Sequence, residues 1–183
     1  MNAIRKFFLP FIACASLNAA TIPSTPSQYL NDYAGVIAPR SVTYFNDLLA
    51  RFERETSNQI IVAFFPKLDP DTTVEQFGEE AFRAWRPGQA ERNNGVLVLV
   101  FVDDHKVRIQ VGLGLEKALP DEVCAEIISI PNFRKGDYNR GIEAALNSIM
   151  NVSVLLTTRR TMSPVSPIAF DQPRQRASAL RFG

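Results

Sequence analysis

The stretch that decides the fold runs from Asn93 to Asp121 and reads NNGVLVLVFVDDHKVRIQVGLGLEKALPD. It opens on a polar turn and continues with an unbroken apolar run, Val96–Val102. Two carboxylates, Asp103 and Asp104, stop this run, and an alternating segment at 107–111 follows. A continuous apolar run is typical of a strand that is buried on both faces, as in α/β proteins, and the loops beyond such strands often carry function. The stretch therefore predicts a central strand, a hairpin partner and an acidic loop.

Helical and strand patterns surround this stretch. Apolar residues at helical spacing predict a helix that starts at Pro39, and Gln59–Phe65 reads as a buried strand. Thr72 and Glu75 have the spacing of a capping box, which predicts a second helix to about Trp85. Two more helices are expected, one from Pro120-Asp121 to Pro131 and one that opens at Tyr138 or Asn139. The segment 30–35 reads as a turn that carries a carboxylate.

The order of these elements predicts the fold class. A strand–helix–strand unit favours a right-handed parallel crossover, and the hairpin that follows adds an antiparallel neighbour. Helices before and after the unit can cover both faces of the sheet. We therefore expect an α/β protein, a three-layer α/β/α sandwich with a small mixed β-sheet.

Composition and charge restrict the function. The chain has 183 residues, 46% of them hydrophobic and 21% charged, which is typical of one globular domain with extensions. Its net charge of +1 favours neither a nucleic acid nor a strongly acidic partner. The glycines at 112 and 114 do not match the phosphate-loop or dinucleotide patterns, so we expect no nucleic acid and no dinucleotide ligand.

The N-terminus has the order of a secretory signal peptide, residues 1–20. Arg5 and Lys6 form a basic region, an apolar stretch follows, and small residues end at Ala19-Ala20. A periplasmic or secreted protein is therefore expected. Two alternatives stay open: an uncleaved membrane anchor, and a lipoprotein modified at Cys14, although Phe11 stands where leucine is usual.

The remaining chain divides into three parts. Residues 21–27 read as a linker with two prolines, residues 28–152 as the domain, and residues 153–183 as an Arg/Pro-rich tail without periodicity. Such a tail is typical of solvated disorder, and its arginines could also make peripheral contact with anionic lipid. If Cys14 is removed with the signal peptide, Cys124 remains alone and is expected to be a small buried hydrophobe.

Acidic residues supply the candidate site. Hard divalent cations prefer clustered oxygen ligands from loops, and these acids lie in predicted loops or at strand ends, with an asparagine at the start of the central strand. Simple solvation of the charged loops is the alternative. The residues are Asp32, Asn94, Asp103, Asp104, Glu116 and Asp121.

Other catalytic arrangements find less support. Asp69-Pro70-Asp71-Thr72-Thr73 matches the nucleophile motif of haloacid-dehalogenase-type phosphatases, but it does not follow its strand directly and lies too close to the second acidic pair. His105 is expected in a hairpin turn, where solvation is its ordinary state. Neither residue set identifies a nucleophile.

Five segments together resemble the TPM domain, a family common in exported bacterial proteins. They occur in order over roughly residues 28–150. The matching segments are LNDYAGVI (30–37), LLARFERETSNQIIV (48–62), NNGVLVLV (93–100), DDHKVRIQVGLGLEKALPD (103–121) and FRKGDYNRGIEAAL (133–146).

The resemblance implies an α/β/α sandwich in an extracytoplasmic compartment with a cleft of acidic residues. It implies that the cleft binds a divalent cation, calcium in some members, and that acid phosphatase activity belongs to the plant branch. Carried over by position, the implied metal ligands are Asp32, Asn94, Asp103, Asp104 and Glu116. Many members of the family act in the assembly, repair or modulation of membrane complexes.

The sequence departs from the family pattern in three places. The usual Asp-Asn-Gly is Asn93-Asn94-Gly95, which removes one carboxylate. The segment EIISIPNFRKG is shorter than usual, and an arginine-rich tail stands where relatives carry a membrane span and a glycine-rich tail.

These observations leave two functional hypotheses. The first is a cation-binding module of the cell envelope with a membrane-associated protein partner. The alternative is a metal-assisted acid phosphatase of phosphate monoesters, with Asp103 and Asp104 as the catalytic candidates.

Overall fold

The computed structural model describes residues 21–129 and 131–161, with side chains as far as Val154. In this part of the chain, four strands form one mixed sheet in the order β1-β2-β3-β4, in which β1, β2 and β3 are parallel and β4 is antiparallel to β3. The strands are β1 (Leu30–Asp32), β2 (Gln59–Phe65), β3 (Gly95–Phe101) and β4 (Lys106–Val111). The helices are α1 (Pro39–Thr56), α2 (Val74–Trp85), α3 (Asp121–Ile128), α4 (Pro131–Arg134) and α5 (Tyr138–Thr161).

Helices cover both faces of the sheet, so the expected three-layer sandwich is confirmed. On one face, α1, α3 and α5 pack on the alternate side chains Ile60, Val62 and Phe64 of β2. On the other face, α2 packs on the residues between them, with Phe77 and Trp85 in its buried stripe. The central strand β3 is buried along its whole length, as its apolar run predicts.

The two parallel crossovers differ in hand. The steps from β1 to β2 through α1 and from β2 to β3 through α2 move in the same direction across the sheet. Their helices nevertheless lie on opposite faces. One of the two crossovers therefore departs from the right-handed rule that the sequence analysis applied.

Several boundaries differ from those expected. The predicted turn at 30–35 contains the short strand β1, which pairs in register with β2. The capping box lies one residue later than expected, because the hydroxyl of Thr73 accepts from the N–H of Gln76 and the Gln76 side chain accepts from the N–H of Thr73. Pro131 begins the short helix α4, so it does not simply end α3.

The extensions also differ in part from expectation. In the segment assigned as a linker, Ile22 packs on the α2 face and the carbonyl of Pro23 accepts a hydrogen bond from the Trp85 indole N–H. Helix α5 continues to Thr161 and so includes the first part of the predicted tail. Residues 1–20, the predicted signal peptide, and the tail beyond Thr161 lie outside the described residues. None of the described helices is long and apolar enough to cross a membrane.

Candidate functional site

Three of the predicted site residues lie where the parallel strands end, which we call the carboxyl end of the sheet. Asp32 is the last residue of β1, and Asp103 and Asp104 lie in the turn between β3 and β4. Parallel strands bring their ends together at one edge, which is the usual place for a site in an α/β protein. The structure therefore places these three acids at the same end of the fold.

Asp32 holds the loop that joins β1 to α1. One of its carboxylate oxygens accepts a hydrogen bond from the Gly35 N–H at 2.8 Å and the other from the Ile37 N–H at 2.7 Å. Such bonds between an aspartate and its own loop fix a turn, and the positive φ of Gly35 suits glycine there. Both oxygens of Asp32 thus have a structural role.

Asp104 joins this end of the sheet to the loop before α2. Its carboxylate accepts a hydrogen bond from the Leu68 N–H at 2.7 Å, and Leu68 itself is buried. The Asp103 N–H donates to the Pro66 carbonyl, so the backbone of the turn is held on the same loop. The Asp103 side chain is exposed and accepts no hydrogen bond from the described residues. Of the three acids, Asp103 has the carboxylate most available to a ligand.

Tyr138, at the start of α5, lies close to Asp103. Its hydroxyl donates to the Val102 carbonyl at 3.1 Å. Burial, and then the negative charge of Asp103, raise the pKa of Tyr138 above its usual value. The phenol acts as a hydrogen-bond donor that ties α5 to the end of β3.

Asn94 and Glu116 lie at the opposite end of the sheet, the amino end, where the parallel strands begin. At about 3.3 Å per residue, β3 is roughly 20 Å long, and Asn94 and Asp103 lie beyond its opposite ends. Asn94 is buried, donates to the Ser57 carbonyl and accepts from the Gln89 N–H. Glu116 is exposed in the turn between β4 and α3, and Asp121 is exposed in the first turn of α3. The structure thus divides the five predicted metal ligands between two ends of the fold.

Glycines make the amino end compact. A Cβ on Gly95 would overlap the Pro87 carbonyl, and a Cβ on Gly114 would overlap the Arg92 carbonyl. The glycines at 112 and 114 do not have positive φ, so close backbone approach explains them. At the amino end, Asn94, Gly95 and Gly114 therefore have structural roles in hydrogen bonding and close packing.

The predicted cation ligands can be compared with the oxygen ligands that calcium takes. Calcium takes about six to eight oxygen ligands, usually from several side chains. Among residues 21–129 and 131–154, no group of three or more His, Cys, Asp or Glu side chains is arranged to hold a metal ion. Because Asp32 and Asp104 also accept backbone N–H groups, the cation assignment stays a prediction of the sequence.

The other nucleophile and base candidates of the sequence are Cys124, His105 and Asp69. Cys124 is buried in α3, where burial and then the nearby Asp121 charge raise the pKa of its thiol. His105 is exposed in the β3–β4 turn with a positive φ. Asp69 accepts the Asp71 N–H within the loop before α2. Among these three groups, the described hydrogen bonds include no pair of a nucleophile and a base.

The sequence analysis missed an exposed aromatic ring at the carboxyl end. Tyr33 follows Asp32 directly and is 42% exposed, and its ring stacks on Phe65 with centroids 5.1 Å apart. Phe65 in turn packs against Phe77 and Phe101, so Tyr33 rests on a rigid aromatic group. The position of Tyr33 next to an acidic strand end was the only signal in the sequence.

A cavity of about 280 Å³ lies between the first turns of α1 and α5, also at the carboxyl end. Two arginines, Arg40 and Arg140, line it together with Tyr44 and Glu143. The Asn139 side chain accepts the Ala38 N–H and joins the two helix starts. The sequence could not reveal this cavity because the two arginines are one hundred positions apart.

Comparisons with known proteins agree with the fold and with the motif. The family model described as the TPM domain matches residues 30–152. The solved N-terminal domain of a protein from P. gingivalis is 28% identical, with a TM-score of 0.65, and the alignment covers 72% of this chain and 85% of that one. No curated protein matches the chain.

Two more distant structures share the fold. The N-terminal domain of cg2496 from Corynebacterium glutamicum is 17% identical with a TM-score of 0.51, covering 74% of this chain and 84% of that chain. The BA42 protein of the psychrophilic bacterium Bizionia argentinensis is 18% identical with a TM-score of 0.54, covering 67% and 82%.

Proposed function

The chain belongs to the TPM domain family, and from that premise we propose that it is a binding module of the cell envelope, with a membrane-associated protein as its partner. The observation that carries the proposal is the character of the carboxyl end of the sheet. This end presents the exposed ring of Tyr33, the carboxylate of Asp103 and the arginine-lined cavity.

These features are those of a protein-binding surface. Tyrosine and arginine are enriched among the residues that carry binding energy at interfaces. A tyrosine that already rests on Phe65 loses little conformational freedom when a partner covers it. The mixture of one free carboxylate and two arginines gives the surface charges of both signs, which favours a specific partner over general attraction.

The phosphatase alternative has less support from the geometry. Aspartate at the end of β3 could assist hydrolysis only with a nucleophile or a bound cation nearby. The described residues supply neither a nucleophile–base pair nor a cluster of three metal ligands. The export signal and the cation stay part of the proposal as expectations from the sequence and the family.

Affinity capture with the purified protein tests the binding function. The protein is immobilised, exposed to detergent-extracted envelope from its own source, and compared with Tyr33→Ala and Asp103→Asn. Leu113→Ala is the control, because Leu113 is 72% exposed but lies at the amino end. We expect at least about a fivefold loss of one specific partner for each of the first two variants. Equal capture by all four proteins would contradict the proposal.

An assay of aryl phosphate hydrolysis distinguishes the phosphatase alternative from the binding module. We expect no phosphate release that depends on Asp103. Hydrolysis that requires a divalent cation and disappears in Asp103→Asn would instead establish the phosphatase. Calorimetric titration with calcium tests the cation expectation separately. Calcium binding without phosphate hydrolysis is expected of the binding module and not of the phosphatase.

A further inference from the structure

The free edges of the two outer strands, β1 and β4, differ in how their main-chain groups are covered. An outer strand has main-chain N–H and C=O groups that point away from the sheet, and proteins usually cover or block them. On β1, the Asn46 side chain blocks this edge: its oxygen accepts the Leu30 N–H at 3.0 Å and its amide donates to the Leu30 carbonyl at 3.4 Å. The helix α1 thus supplies a side chain that occupies the position of another strand.

Among the described residues, none blocks the free edge of β4 in this way. The Gly112 N–H donates to the Gly95 carbonyl at 2.9 Å, which fixes the alternation of the antiparallel ladder. By this alternation, the main-chain groups of Lys106, Arg108 and Gln110 point toward β3. Those of Val107, Ile109 and Val111 point outward, and no hydrogen bond from the described residues reaches them.

The side chains beside this open edge define a pattern. Val107, Ile109 and Val111 lie on the face that carries α3, where Ile109 is buried and Val107, Val111 and Val123 are partly buried. Arg108 lies on the other face, under Gly78 of α2, and Lys106 lies on that same face and is exposed. A strand added to this edge would therefore place one set of its side chains beside apolar groups and the alternate set beside two positive charges.

Arg108 has an unused hydrogen-bond donor at this position. One of its guanidinium nitrogens donates to the Gln110 side chain at 3.2 Å. Its Nε is buried and has no acceptor among the described residues. The Nε lies under α2, so the charge of the guanidinium, and not this atom, is what a carboxylate on a neighbouring strand would meet.

From these observations we propose that β4 binds an extended peptide of a partner protein by strand addition, and that the peptide alternates apolar residues with acidic ones. Main-chain hydrogen bonds to Val107, Ile109 and Val111 hold the strand, while Lys106 and Arg108 select the acidic side chains. Cross-strand pairs of opposite charge favour this choice over a basic peptide.

A second copy of the chain fits this edge less well than a peptide. Helix α2 packs more closely on β4 than on β3, and its Gly78 lies directly over Arg108. If two copies paired through β4, their strands would be about 4.8 Å apart, whereas packed helices need roughly 8–10 Å. The two α2 helices would therefore overlap, while a peptide without a helix would not.

Fluorescence polarisation with a labelled peptide tests the proposal on the full chain. The strand is proposed to add antiparallel to β4, and the probe is Thr-Val-Glu-Val-Glu-Val-Thr, whose valine N–H groups face β4 in that orientation. We expect saturable binding, at least about tenfold loss when the valine nitrogens are methylated, and little change when the glutamate nitrogens are methylated instead. Equal effects of the two methylation patterns, or no binding, would overturn strand addition.

Two further arms test the charge selection and the place of binding. Replacing both glutamates of the probe with lysine should weaken binding at least about tenfold, and Arg108→Glu should reverse that preference. Val111→Pro removes an outward N–H without breaking the ladder to β3, and should weaken the unmethylated probe. A basic probe that binds as well as the acidic one would overturn the proposed peptide chemistry. Analytical sedimentation of the protein alone tests the proposed occupant. A dimer that Val111→Pro dissociates would show that a second copy, and not a partner peptide, binds the β4 edge.

Discussion

The carboxyl end and the amino end of the sheet both contain polar residues of the same sequence motif, yet they use them differently. At the amino end, Asn94 is buried and bonded to backbone groups, and Gly95 allows close chain approach. At the carboxyl end, Asp103 is exposed and Tyr33 lies open beside it. A conspicuous motif therefore does not have to be one site, because a strand about 20 Å long separates its two ends.

The largest effect is expected from Gly95→Ala at the amino end. The new Cβ would overlap the Pro87 carbonyl, so backbone must move, and we expect a loss of about 3 kcal/mol in the free energy of unfolding. Denaturant unfolding measures it. Gly78→Ala is the control, since its Cβ would meet only side-chain atoms, those of Arg108 at 3.3 Å and of Gln110 at 3.7 Å, and we expect a change within about 1 kcal/mol. Equal losses would show that the close approach at Gly95 has no special cost.

Asn94→Ala should come next. The substitution leaves the Ser57 carbonyl and the Gln89 N–H without their partner in a buried place, which we expect to cost about 2 kcal/mol. Asn147→Ala on the exposed side of α5 is the matched control and should change stability by less than about 0.5 kcal/mol. An Asn94→Ala protein as stable as the control would indicate that Asn94 is kept for a ligand.

Much of the fold was accessible from the sequence, because periodicity depends on neighbours along the chain. The central strand Val96–Val102, its hairpin partner and the main helices all lie close to where their patterns predict. The short strand β1 was missed because its pairing with β2 is long-range. The same reason applies to the candidate site. The sequence shows which residues are acidic, but it does not show which of them lie at the same end of the sheet.

Asp32→Ala should have an intermediate effect at the carboxyl end. It removes the acceptor of the Gly35 and Ile37 N–H groups, which are partly solvated, so we expect a loss of about 1–2 kcal/mol. Amide hydrogen exchange of these two groups should also become faster, while Asp103→Ala leaves them unchanged. Unchanged exchange in Asp32→Ala would contradict the structural role of this carboxylate.

The smallest effect concerns the ionisation of Tyr138. Its pKa is raised above the usual value of 10.0, first by burial and second by Asp103. The folded state thus holds the proton longer than the unfolded state, so the stability that this group contributes is present below the unfolded pKa and is lost as the pH rises through the folded pKa. In Asp103→Asn the Tyr138 pKa should fall, as a ¹³C-tyrosine NMR titration would show. No shift would mean that Asp103 lies too far from the phenol.

Parallel denaturant unfolding of Asn94→Ala and Asp103→Ala tests the central claim most directly, because it compares the two ends in one measurement. The account predicts a loss of about 2 kcal/mol for Asn94→Ala and less than about 0.5 kcal/mol for Asp103→Ala, whose side chain accepts no hydrogen bond from the described residues. Equal stability losses at the two positions, or a larger loss for Asp103→Ala, would contradict the division between a structural amino end and a binding carboxyl end.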